Sequence, residues 1–117
     1  MKKTSHKNQR INGEVQRELS RIITMEIKDP RINPMTSVTD VIVTPDLKYC
    51  KAFISVLGDE ESGRETIEGL KSATGYIRRE LARSINLRNT PEITFVLDNS
   101  IEYGIEMSKK IDDVLKN

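Results

Sequence analysis

Ser62–Asn86 reads SGRETIEGLKSATGYIRRELARSIN. Ile67, Leu70, Ile77, Leu81 and Ile85 recur at helical spacing, which predicts one amphipathic helix with a single apolar stripe. Ser62 followed three residues later by Glu65 is a capping-box pattern, in which each side chain satisfies a backbone N–H of the first turn. Ala73-Thr74-Gly75 interrupts that regularity, because glycine inside a helix costs about 1 kcal/mol relative to alanine. Lys71 stands just before the interruption, and Arg78, Arg79, Arg83 and, past the helix end, Arg88 follow it. A broken helix with a basic flank is a candidate RNA-binding element.

Upstream, residues 1–8 are polar and basic and read as a flexible arm. From about Gln9 to Lys28, Ile11, Val15, Leu19, Ile22 and Ile23 fit a second amphipathic helix. On an ideal wheel Arg10, Arg17, Arg21 and Lys28 fall within an arc of roughly 40°, nearly opposite the apolar stripe. Lys3 extends that arc if the arm is helical. The plainer reading is a solvated face, with Glu14 and Glu18 each pairing three residues on with Arg17 and Arg21. Asp29-Pro30 ends the helix, since the residue before proline is pushed out of the α region. Val38–Thr44 is rich in β-branched residues and reads as a strand, followed by turn chemistry at Pro45-Asp46. Tyr49–Leu57 alternates, with Cys50, Ala52, Ile54 and Val56 on one face and Tyr49, Lys51, Phe53 and Ser55 on the other; the pair makes an antiparallel hairpin. Phe53 is expected to be buried against a helix. Downstream of the broken helix, Glu92–Asp98 is a third strand, and about Ile101–Leu115 a last helix. The order is α–β–β–α–(break)–α–β plus a C-terminal helix, an α+β domain over residues 9–117 with helices on one face of a three-stranded sheet.

A chain of 117 residues supports one modest core. Its net charge of +1 conceals a strong pattern. Residues 1–31 hold eight Lys/Arg against four Asp/Glu, and residues 71–90 five against one. Residues 59–70 hold one against five, and 91–117 three against six. Two basic blocks separated by an acidic one suggest a polarised surface that meets a polyanion on one side. No run approaches the roughly 18 apolar residues of a membrane span. The basic N-terminus lacks the apolar core of a secretory signal. A single cysteine, Cys50, in a strand pattern suggests a buried thiol in a reducing compartment, hence a cytoplasmic protein.

Catalytic patterns are absent from the sequence. The only histidine, His6, lies in the arm, and one Cys with one His cannot make the usual zinc site. No phosphate-cradling glycine loop or nucleophile elbow occurs. Asp112-Asp113 could suggest a cation site, but adjacent carboxylates on a terminal helix more simply face water. The residues therefore point away from an enzyme, a metal or a cofactor. Two Phe, three Tyr and no Trp are too few for a base-stacking platform, so nucleic-acid contacts would rest on charge and shape.

The αββααβ order resembles a type II KH domain, whose helix–turn–helix carries a GXXG loop. Here Ser72-Ala73-Thr74-Gly75 stands in its place, and an Ala-x-Gly kink at this point is similar to the bacterial ribosome-binding factor A proteins. The likeness covers nearly the whole chain: Arg10–Leu19, Lys28-Asp29-Pro30-Arg31, Val41–Thr44, Asp46, ATGYIRREL at Ala73–Leu81, and Pro91-Glu92-Ile93 before Phe95. The resemblance implies a monomeric, cofactor-free, non-enzymatic assembly factor. Such a factor binds the immature 30S subunit, contacts 16S rRNA near its 5′-terminal helix and the decoding region, and assists late maturation, notably in the cold.

On this reading Lys71, Arg78, Arg79 and Arg83 neutralise phosphates beside the kink, where Ala73 and the bare Gly75 admit RNA closely. Arg10, Arg17 and Arg21 form a second stripe, joined by Lys2, Lys3 and Lys7 of the arm. A simpler role for Gly75 is to let two half-helices bend over the sheet. Two other classes stay open: a KH-like module for another RNA, and a protein-interaction adaptor using the acidic C-terminal helix.

Overall fold

A computed structural model describes the backbone of residues 6–98 and side chains from residue 9 onward. Lys2, Lys3, Asp112-Asp113 and the expected C-terminal helix lie outside the described residues. The elements run α1 (His6–Arg21), a π-helical turn (Ile22–Glu26), β1 (Thr36–Val43), β2 (Tyr49–Val56), α2 (Glu60–Ser72), α3 (Thr74–Ser84) and β3 (Glu92–Leu97). β1 pairs antiparallel with β2, and β2 parallel with β3, in the order β1-β2-β3. The helices cover one sheet face, with α1 over β1, α2 over β3 and β2, and α3 against α1 and β3. This is the α+β arrangement expected of a KH-like domain.

The core is built from the two predicted periodicities. Ile11, Val15, Leu19 and Ile22 descend from α1, and Leu70, Ile77 and Leu81 from the broken helix, onto Val41, Val43, Cys50, Ala52, Ile54 and Phe95. Phe53 departs from expectation. Alternation with the inward Cys50, Ala52 and Ile54 turns it to the open sheet face, where it pairs with Asp40 and Val96 and is half-buried. Two polar residues of α1 also reach the outer edge of β1: Asn12 Oδ1 accepts from the Val43 N–H at 2.9 Å, and Gln16 Nε2 donates to the Val38 carbonyl at 3.1 Å. An edge strand so tied presents fewer unpaired groups to another chain.

α2 begins earlier than the capping-box pattern suggests. Asp59 is its N-cap, accepting from the Ser62 N–H at 2.8 Å, and Glu60 and Glu61 fill the first turn. One flank of α2 is small and buried: Gly63, Thr66 and Gly69. A Cβ at Gly69 would stand 2.8 Å from Ile32 Cγ1, and one at Gly63 2.9 Å from Leu97 Cδ2. Thr66 Oγ1 between them accepts from the Asn33 N–H at 3.1 Å. The Lys28–Arg31 corner is thereby seated on α2. Asp29 closes it by accepting from the Arg31 backbone N–H at 2.9 Å and guanidinium at 2.7 Å.

Candidate nucleic-acid interface

The helix breaks at Ala73, one residue after α2 ends and one before α3 begins. Ala73 sits at φ −91°, ψ 3°, a conformation open to any residue, and no glycine in the described residues has positive φ. Gly75 is therefore not the hinge. It lies in the first turn of α3, exposed, and a Cβ there would meet nothing within 4 Å. Neither backbone strain nor internal packing requires glycine at this position. Gly75, Arg79 and Arg83 follow at intervals of four and so share one flank of α3.

The arginines divide into held and free. Arg78 is held: its Nε donates to the Pro91 carbonyl at 3.0 Å and its Nη2 to the Thr90 carbonyl at 2.8 Å, tying α3 to the lead-in of β3. The expectation that Arg78 contacts phosphate thus meets a guanidinium with internal work. Arg21 is held as well, by Glu18 at 2.9 Å, by Glu26 and by Ser84 Oγ at 3.0 Å. These carboxylates push its pKa up, Glu18 foremost. Arg83 pairs with Glu80 at 3.2 Å yet stays largely exposed. Glu14 approaches Arg10 at 4.0 Å and not Arg17 as expected. Among the described residues Arg17, Arg79 and Arg88 are exposed with no hydrogen-bond or ion-pair partner.

Two grooves flank the helices. Between α1 and the end of α3 runs a groove lined by Arg10, Glu14, Arg17, Glu18, Ser84 and Asn86. It continues past Arg10 toward Arg88 and Leu87. Arg88, which in sequence only follows the helix end, is thus brought opposite Arg10 of the α1 stripe. Lys71 is not brought to this groove. Exposed near the C-terminal end of α2, Lys71 lines the one between α2 and the end of β3, whose lining also holds Asp59, Glu60, Glu68 and Asp98, with Arg64 the other cation. That groove carries four carboxylates against two cations and would repel a phosphate backbone. Ala73 is half-buried at the break itself. Lys7 falls within the backbone of α1.

A clip joins the π-turn to α3. The i→i+5 bond from the Ile27 N–H to the Ile22 carbonyl, at 3.1 Å, marks the wide turn. Glu26 on it accepts from the Tyr76 hydroxyl at 2.7 Å and from Arg21. The Tyr76 bond and then Arg21 hold the Glu26 carboxyl below its usual range, while the carboxylate pushes the Tyr76 phenol up.

Residues 7–111 match the family described as "Ribosome-binding factor A". A ribosome-binding factor A of Lachnospira eligens is 72% identical over 117 residues, covering all of this chain and 90% of the relative. A solution NMR structure from Thermotoga maritima, described as a putative ribosome binding factor A, superposes with a TM-score of 0.72 at 28% identity, over 87% of this chain and 96% of that one. A Thermus thermophilus ribosome binding factor A, fitted into a cryo-EM map of its complex with 30S, superposes at 0.62 and 20% identity, over 75% and 91%.

Proposed function

The chain belongs to the ribosome-binding factor A family, a family of binding factors and not of known enzymes, and from that membership we propose that it is an assembly factor for the small ribosomal subunit. It binds the immature 30S particle through 16S rRNA, assists late maturation of that RNA, including at low temperature, and leaves the finished subunit. It acts in the cytoplasm as a monomer without a cofactor. The Thermus relative's complex with 30S supports the choice of particle.

One observation carries the mechanism. Arg17 on α1, Arg79 on α3 and Arg88 in the following loop are exposed free cations; Arg10 shares the α1–α3 groove with Arg17 and its continuation with Arg88, and Arg83 lies one turn beyond Arg79. Cations so presented neutralise successive phosphates and release counterions, which gives affinity without base reading. Gly75, in line with Arg79 and Arg83, lets the RNA backbone approach where a side chain would project. Lys71 and Arg78 have lesser parts, Lys71 because it lines the groove in which carboxylates outnumber cations and Arg78 because it is tied to the β3 lead-in.

Sedimentation of a cell extract at low and high salt tests the particle. The protein should travel with immature small subunits at low salt and leave them as salt rises. Migration with free RNA would instead indicate a general KH-like module, and salt-independent migration with another protein an adaptor.

A further inference from the structure

We propose that Glu26 and Tyr76 are positioning residues for subunit binding, clipping the first turn of α3 to the end of α1 so that the free cations of both helices meet one RNA surface at a fixed spacing. The inference rests on the reading of the helix layer as the subunit-binding face.

An α-helical continuation of α1 would carry its next side chains round by about 100° per residue. The wide turn at Ile22–Glu26 lags that phase and brings Glu26 against α3. From there the contacts reach both ends of α3. Tyr76, next to Gly75, is bonded to Glu26 at 2.7 Å, and Ser84, the last residue of α3, takes a bond from Arg21 at 3.0 Å. Ser84 in turn donates to the Glu80 carbonyl at 2.8 Å, and Arg21 also binds Glu26 and Glu18. Two anchor points on an 11-residue helix fix its direction as well as its place. Thr74 bonds the start of α3 back to the Leu70 carbonyl at 3.1 Å, Ile77 is buried and Arg78 forks onto Thr90 and Pro91, so Tyr76 supplies the hydrogen bond from this end of α3 toward α1. That bond sets how the first turn of α3 lies against the end of α1, and with it the spacing between the cations of the two helices. None of these polar groups is itself a free cation, so their contribution to binding is geometric. A preorganised surface avoids ordering its contacts on association.

Binding of the full chain to purified immature small subunits, measured across a salt series, tests the clip. Tyr76→Phe deletes one hydroxyl and no charge. It should weaken binding about fivefold and lower the slope of log affinity against log salt by about one, the signature of a lost phosphate contact. Glu26→Ala should behave likewise, and Glu26→Gln, which keeps an acceptor for the phenol, should recover most of the wild-type slope. A merely structural role would lower thermal stability and leave the slope of the folded protein unchanged. Wild-type binding with unchanged affinity and slope in Tyr76→Phe and Glu26→Ala overturns the clip alone. Failure of the wild type to bind small subunits overturns the functional reading beneath it.

Discussion

Gly75 and Gly69 lie six residues apart in sequence and make opposite demands. At Gly75 an added Cβ meets only solvent and the backbone is ordinary, so Gly75→Ala should stabilise the protein by up to about 1 kcal/mol. The same change should weaken subunit binding if RNA approaches there; thermal unfolding and a binding titration check the two halves. At Gly69 the Cβ would strike Ile32 Cγ1, and Gly69→Ala should destabilise by about 1–3 kcal/mol. Composition cannot separate these glycines, because the neighbour of Gly69 is 37 positions away in the chain. Arg78 and Arg79 pose the same problem as adjacent residues of one type. Arg78→Lys should cost about 1–3 kcal/mol in urea unfolding, through loss of its fork on the Thr90 and Pro91 carbonyls, and leave the salt slope of binding unchanged. Cys50 is the plainest case: burial, read correctly from strand alternation, pushes its thiol up to about 12. It should resist alkylation at pH 8 until the protein unfolds. The folded state keeps that proton above the ordinary thiol value of 9.0, where the unfolded chain loses it, so Cys50 draws stability down between pH 9 and 12.

The elements were legible in the sequence to the extent that one periodicity governed each. The β1–β2 hairpin, the inward face of β2 and the apolar stripe of the broken helix follow directly from spacing. The π-turn does not, because Ile22–Glu26 carries the same apolar positions that an α-helix would. Its last residue, Glu26, bonds Tyr76 50 positions away, a tertiary contact that spacing does not reveal. The interruption at Ala73-Thr74-Gly75 is legible to within two residues, but the chain turns at Ala73 and not at the glycine. The clip also bears on acid stability. Glu26, Asp29, Asp46 and Asp59 are all held below their ordinary values by hydrogen bonds, from Tyr76, Arg31, Thr44 and Ser62 respectively. Their folded forms release protons that the unfolded chain binds, so they support stability fully above about pH 4.5 and lose that support as pH falls through their lowered values. Urea midpoints measured from pH 6 to 3 should fall, and less steeply in Glu26→Gln; an equal fall in both would remove Glu26 from this account.

For the molecule as a whole, the alternation of basic and acidic blocks along the chain becomes a separation in space. α1, α3 and the loop after it present arginines on the outer helix layer, while the groove between α2 and β3 gathers carboxylates. The sequence named most of the cations but could not say which were free, since pairing depends on contacts between α1, α3 and the β3 lead-in. Lys71 adjoins the arginines in sequence, but α2 faces β3 and β2 while α3 turns toward α1, so the two sides of the break line different grooves. The proposed binding mode requires Arg17 and Arg79 to meet rRNA phosphates at once. The direct measurement is the salt dependence of binding to immature small subunits for the wild type, Arg17→Ala, Arg79→Ala and the double variant. The slope should fall by about one for each single change and about two for the double. A double variant that keeps the wild-type slope would contradict it.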